Sequence, residues 1–308
     1  MKSAKRIVVG SRGSKLAIIQ SQLVMSELAK THPHLQFELL PVTTTGDRRK
    51  HAPLEELGGV GVFVKELEDA LSAGRVDLAV HSLKDMPTET PEGFRLAAVT
   101  ERADPRDALV SSSGKLAELP PGARVGTGSQ RRAVQLLAQR PDLDVRPLRG
   151  NVDTRLSKVS SGELDAIVLA AAGLVRLGLE NTITEYLPPE VFVPAVGQGA
   201  LAIEIRARDD ETAELVGHVN HEATWLGVTS ERAFLKSLGG GCRVPIGALA
   251  TVEGTRLHLL GMVANPVQGD ILRAEVEGKA LAPEEAGTEL AQKMMGLGAA
   301  SLLEGSGP

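Results

Sequence analysis

Apolar positions along this chain follow two rhythms that alternate. In "RIVVGSRGSKLAIIQSQLVMSELAK" a short β-branched run meets a Gly/Ser turn, and then Leu16, Ile19, Leu23 and Leu28 recur at helical spacing. The stretch predicts strand, tight turn, helix. The same grammar returns in "ARVGTGSQRRAVQLLAQR", where Val125 ends a strand, Ser129 is placed to cap a helix, and Val134, Leu137 and Ala138 supply its buried face. A further pair supports a repeat. "LSAGRVDLAVHSL" (Leu71 to Leu83) and "VSSGELDAIVLAA" (Val159 to Ala171) both run helix end, Gly at the cap, an apolar-Asp step, then a buried strand. Two similar α/β lobes follow. Strands alternating with helices predict mainly parallel sheets covered by helices, with ligands at the carboxyl ends of strands and a site between the lobes.

The pattern breaks near "TERADPRD" (Thr100 to Asp107) and "VPAVGQGA" (Val193 to Ala200), where Pro and Gly interrupt it. After Ala207 it changes: a helix around Trp225 to Leu238, a glycine-rich loop, hairpin-like strands through Leu249 to Val276, and a final helix from about Pro283. The expected division is 1–100 plus 200–218 as a first α/β lobe, 101–199 as a second, and 219–308 as a smaller C-terminal α+β domain.

Composition narrows the function. A chain of 308 residues is too long for one ordinary core, which agrees with several lobes. Its single cysteine excludes an internal disulfide, no window reads as a signal peptide, and no apolar stretch reaches bilayer length. A soluble cytoplasmic protein with no membrane partner is expected. A net charge of −5 and 2% aromatic residues supply neither the basic field nor the stacking side chains of nucleic-acid binders, so no nucleic acid is expected either.

"GTGSQR" lacks the third glycine of a dinucleotide fingerprint, since Arg131 occupies that place. What it offers is a helix amino terminus with Ser129, backbone donors, and Arg131 and Arg132, which suits an anion. Arg12 and Ser14 stand at the equivalent turn of the first lobe, and "PLRGNVDTRLSKV" adds Arg149 at a strand end and Arg155 near a helix start. Arginine at a helix start opposes the dipole, so a small polycarboxylate or phosphate partner explains the pattern. The bland alternative is a capped helix with solvated arginines. "AVHSLKDMPTE" places His81, Ser82, Lys84 and Asp85 just beyond a buried strand, either as a surface Lys–Asp pair or as site residues. The histidines and one cysteine give no plausible zinc set, so no metal is expected.

In "RAFLKSLGGGCRVPIGALA" the lone Cys242 follows three glycines and precedes Arg243. A buried small hydrophobe is one reading. Glycines that strip away cover, and an arginine that favours the thiolate, make an accessible, modifiable sulfur the other. The residues by themselves describe a bilobal anion binder with a presented thiol, leaving a solute-binding protein and a cysteine-nucleophile enzyme both open.

Taken together, "GSRGSKLA", "FVKELEDAL", "DLAVHSLKDMPT", "VGTGSQRRAVQL", "RGNVDTRL", "VPAVGQGALAIE" and "SERAFLKSLGGGCRVPIGA" resemble the porphobilinogen deaminase (hydroxymethylbilane synthase) family nearly end to end. The resemblance implies two lobes like those of a bilobal periplasmic solute-binding protein plus the C-terminal domain. It implies a monomeric transferase of porphyrin and haem biosynthesis that joins four porphobilinogen molecules head to tail, releasing ammonia. It makes Cys242 the thioether anchor of a permanent dipyrromethane cofactor. By the same resemblance Asp85 is catalytic; Lys84, Thr127, Ser129, Arg131, Arg132 and Arg155 hold the cofactor; Arg12, Ser14, Arg149, Arg155 and Arg176 receive substrate carboxylates. Phe63 and Lys65 fall in the segment that the family uses over the cleft, where Val60 replaces the usual lysine between glycines.

Overall fold

The computed structural model describes residues 5–43, 64–239 and 245–304. The chain divides into two compact units, Met1–Ala103 with Ala200–Trp225, and Asp104–Gly199 with Leu226–Pro308.

In the first unit β1 (Arg6–Arg12) leads into α1 (Lys15–Thr31) and β2 (Gln36–Val42). There follow α2 (Lys65–Ser72), β3 (Leu78–Ser82), one turn of 3-10 helix (Leu83–Asp85) and β4 (Phe94–Val99). The sheet is completed by a strand from late in the sequence, β10 (Leu201–Arg206), in the order β2-β1-β3-β10-β4. β1 pairs in parallel with β2 and β3, whereas β10 runs antiparallel to β3 and β4. The expectation of a mainly parallel sheet is thus corrected to a mixed one. The chain re-enters this unit beside the end of β3 and must run back along it.

Ile7, Val9, Val24, Leu28, Leu78, Val80, Ile203 and Ile205 form the core beneath α1. That helix buries Gln20, Ser21, Val24 and Leu28, while Leu23 stays 46% exposed. Leu23 is therefore not part of the buried face; that face is partly polar, which hides its phase from an apolar count.

The second unit repeats the plan with β5 (Asp107–Ser111), β6 (Arg124–Thr127), α3 (Gln130–Gln139), β7 (Asp144–Pro147), α4 (Val152–Ser160), β8 (Ala166–Ala170), α5 (Ala171–Arg176) and β9 (Glu185–Leu187). Its sheet order, β7-β6-β8-β5-β9, has the same two parallel and two antiparallel pairings. On α3, Leu137 and Ala138 are exposed and Gln135 and Leu136 are buried beside Val134, a second correction of helix phase.

The apolar-Asp step does the same work in both sheets. Asp77 receives the Val8 amide on Oδ2 at 2.7 Å and gives its own amide to the Val8 carbonyl at 2.8 Å. Asp165 treats Arg124 identically, at 2.8 and 2.9 Å. Each aspartate fastens the start of its strand to the neighbouring strand, and each follows a glycine at positive φ, Gly74 (65°) and Gly162 (73°), that closes the preceding helix.

After α6 (Asp210–Gly217) the chain forms α7 (Glu222–Ser237), an antiparallel sheet of β11 (Ile246–Glu253), β12 (Arg256–Ala264) and β13 (Ile271–Lys279), and the helices α8 (Pro283–Gly296) and α9 (Ala299–Glu304). Phe234, Leu257, Leu259, Leu290 and Met294 pack the space between sheet and helices. Within the second unit, the fully buried Glu231 of α7 accepts the Ala250 amide of β11 at 2.9 Å and the Gly197 amide at 2.7 Å. One carboxylate so ties helix, sheet and the 193–199 stretch together.

Candidate active site

In the second unit the residues singled out by sequence gather at one edge of the sheet. β6, β7 and β8 run parallel, so the turns after Thr127 and Pro147 and the start of α5 all emerge there. The first two turns touch closely: a Cβ on Gly128 would stand 2.5 Å from the Leu148 carbonyl oxygen. Glycine at 128 is what lets the turn leading to Ser129 pass against the turn leading to Arg149.

Thr127 Oγ1, buried, accepts the Ser129 amide at 3.2 Å, and Ser129 Oγ accepts the Arg132 amide as the helix cap at 3.4 Å. Asn151 caps α4 through the Thr154 amide at 2.9 Å, and Arg155 Nε donates to the Gly150 carbonyl at 2.8 Å. Arg149 is exposed and Arg155 half-buried.

Arg131 and Arg132 are nearly enclosed, at 5% and 6% exposure, around Asp107 at the start of β5. Arg132 donates through Nε (3.0 Å) and Nη2 (2.8 Å) to Asp107 Oδ1, which also receives Gln198 Nε2 at 2.8 Å. Arg131 Nη1 lies 2.8 Å from Asp107 Oδ2 without a well-aligned hydrogen bond, and donates instead to the Val193 carbonyl at 2.5 Å. Burial would raise the Asp107 pKa, yet the charges of Arg131 and Arg132 outweigh it and hold the carboxyl well below the usual range. Burial lowers the pKa of Arg131 against the pull of Asp107. Two guanidinium groups against one carboxylate leave an unbalanced positive charge at this edge.

Arg176 ends α5, half-buried, and donates to the Gly199 carbonyl at 2.7 Å. No carboxylate pairs with it among the described residues, and burial pushes its pKa down to about 10.

The first unit presents a matching edge. Arg12 ends β1, and Ser14 caps α1 by accepting the Ala17 amide at 3.3 Å. His81 and Ser82 are not beyond the strand but are its last two residues; Lys84 and Asp85 follow, half-buried, in the 3-10 turn. Ser82 Oγ donates to Oε1 of the buried Gln20 at 3.1 Å, and the Leu83 amide to the Ala200 carbonyl at 3.1 Å.

Asp107, Gln20 and Gln198 were not expected from the sequence. Asp107 lies in the Pro-containing junction, 25 residues from Arg132, and no local pattern announces their pairing.

With this geometry in view, the model described as "Porphobilinogen deaminase, dipyromethane cofactor binding domain" matches residues 7–214. The chain belongs to the porphobilinogen deaminase family. The porphobilinogen deaminase C-terminal domain model matches residues 225–296. Porphobilinogen deaminase of Roseiflexus castenholzii is 51% identical over 97% of this chain and 99% of that protein. The enzyme of Pelobacter propionicus is 46% identical over 97% of each. Among solved structures, a nutrient binding protein from Burkholderia cenocepacia bound to methionine superposes with TM-score 0.44 at 14% identity, over 68% of this chain and 90% of that one.

Cys242, Phe63 and Val60, singled out from the sequence, lie outside the described residues. Lys65 is exposed at the start of α2. The rings of His32 and His218 meet edge to face at 4.8 Å with His34 nearby, but no group of three His, Cys, Asp or Glu among the described residues is placed to hold a metal.

Proposed function

We propose that this chain joins four porphobilinogen molecules head to tail on a dipyrromethane held by Cys242 as primer, releasing one ammonia at each addition, and that water then cleaves the finished chain from the primer as hydroxymethylbilane, its OH going to the terminal methylene and its H to the primer ring. The observation that carries the reading is the arginine-lined edge of the second unit, where two guanidinium groups face one carboxylate and Arg176 is desolvated with no carboxylate partner among the described residues. A guanidinium in that state gains most from a substrate carboxylate, because forked, charge-assisted hydrogen bonds return what burial removed. Pyrroles bearing acetate and propionate supply such carboxylates in pairs.

The donor set fits the cofactor. Lys84, Thr127, Ser129, Arg131, Arg132 and Arg155 would hold it, the buried Arg131–Asp107–Arg132 triad fixing two of the guanidinium planes. When bound, the dipyrromethane supplies the free pyrrole carbon from which growth starts. Arg12, Ser14, Arg149, Arg155 and Arg176 would orient the incoming porphobilinogen. At each addition the substrate's C–N bond breaks, ammonia departs with the electron pair, a C–C bond forms, and the attacked ring carbon loses its proton. The Asp85 carboxylate accepts pyrrole N–H bonds, offsets the positive charge that develops on the ring, and takes up and returns a proton at its oxygens.

The division into 1–100 with 200–218, 101–199 and 219–308 belongs to the same reading, as does a cytoplasmic monomer. No described helix is long and apolar enough to cross a membrane. Intact-protein mass tests the anchor directly. The wild type should carry the mass of two pyrrole units; Cys242→Ser should carry none and make no tetrapyrrole, because a hydroxyl is a poorer nucleophile than a thiolate. A Ser variant with normal turnover and no covalent pyrrole would overturn the reading.

A further inference from the structure

Just before Lys84 and Asp85, β3 carries a buried pair that the chemistry above does not use. His81 Nε2 lies 3.0 Å from Oε2 of Glu204 on β10, with side chains 4% and 0% exposed. The two strands run antiparallel, Ala202 opposite His81 and Glu204 opposite Ala79, so the contact is a diagonal one across the ladder. The neighbours Val80 and Ile203 are buried and apolar, and Glu204 Oε1 has no hydrogen-bond partner among the described residues. Glu68 of α2 is within electrostatic reach; burial, then the charge of Glu204, raises its pKa, His81 and Lys65 opposing and Asp69 adding to the rise.

Such a pair is a poor way to gain stability. Enclosing two polar side chains with one carboxyl oxygen idle costs more in lost hydration than an apolar pair of similar volume would. Its advantage is directional. Slipping β3 against β10 would strand a buried carboxylate, whereas Val80 and Ile203 tolerate small shifts. On the opposite face Ser82 is bonded to Gln20, and Leu83 is held by the Ala200 carbonyl. Two of the three anchors come from β10 and the residue before it and the third from α1, and all lie within the four residues before Asp85.

We propose that His81 and Glu204 are positioning residues for catalysis: they fix the end of β3 so that the turn carrying Lys84 and Asp85 is presented in one orientation. The proposal rests on the reading of Asp85 as the catalytic carboxylate. Displacing a reacting group by about an ångström can cost a hundredfold in rate.

The test compares His81→Leu/Glu204→Leu, His81→Gln/Glu204→Gln and Asp85→Asn with wild-type holoenzyme, reading kcat, KM for porphobilinogen and melting temperature. The apolar pair should melt no lower than wild type while kcat falls about tenfold to a hundredfold with KM little changed. The Gln/Gln pair, which keeps an amide nitrogen in place of His81 Nε2 and so a neutral hydrogen bond to position 204, should hold kcat within about threefold. An apolar pair with normal kcat, or with a loss that follows a fallen melting temperature, would overturn the positioning role. A Gln/Gln pair as slow as the apolar one would overturn it in favour of a role for the charge. Asp85→Asn separates the two readings. If it is slow while the apolar pair is normal, only the positioning role falls; if it turns over normally, the catalytic reading of Asp85 falls and the positioning role with it.

Discussion

Replacing the Asp107 carboxylate by an amide would leave Arg131 and Arg132, each nearly enclosed, with no anion between them. Removing one partner from a buried ionic group is far more damaging than replacing the whole group. Asp107→Asn should therefore cost about 3–5 kcal/mol of stability, measured by urea unfolding at pH 7. The pH dependence has a definite sign. A carboxyl held well below its unfolded value of about 3.9 contributes stability that is complete at neutral pH. That contribution is lost as pH falls from about 4 through the lowered folded value, so the acid limb of the stability curve should be shallower in Asp107→Asn. The arginines themselves were legible in "GTGSQRR" as an anion-binding turn. That both also lean on a carboxylate was not, because the pairing spans some 25 residues and depends on β5 lying one strand away from β6 across β8.

At the scale of strands and helices, the repeated Gly, apolar, Asp, strand pattern carried most of the fold. Its glycines were legible as helix caps; the job of its aspartates, a side chain that pairs with the neighbouring strand's backbone, shows only in the structure. Helix phase was less legible. α1 buries Gln20 and Ser21 and leaves Leu23 exposed, and α3 buries Gln135 and two arginines while exposing Leu137. Where a helix face is recruited to serve a site, its buried side is only partly apolar, and leucines alone misplace it. Strand direction was also hidden, since β5 and β10 look like any buried strand. If the aspartates act alike, Asp77→Ala and Asp165→Ala should each destabilise by about 1–3 kcal/mol, the unpaired strand amide being the main cost. Asp165→Ala should be the larger loss, because Asp165 also accepts Arg124 Nε at 2.9 Å. Chemical denaturation of the two single variants and the double would check both claims; the residues lie in different units and share no partner, so the losses should add.

For the molecule as a whole, the two sheets differ in how their strands are supplied. β5 to β9 come from one continuous stretch, whereas the first sheet takes β10 from about a hundred residues beyond β4 and seats it between β3 and β4. A fragment of residues 1–103 should therefore remain largely unstructured by circular dichroism, and joining residues 200–225 to it through a flexible linker should restore cooperative unfolding. Failure of the joined fragment to fold would show that the unit is not self-sufficient. The placing of β10 also sets the order in which the protein can form as it is made. At synthesis rates of about 5–20 residues per second, the flanks of β3 and β4 wait on the order of 5–20 seconds for the strand that belongs between them. During that interval two open strand borders, rich in Leu, Ala and Val, leave the ribosome ahead of their partner. The newborn chain is then most in need of a chaperone, and the second sheet, encoded within that interval, receives its last strand before the first sheet does.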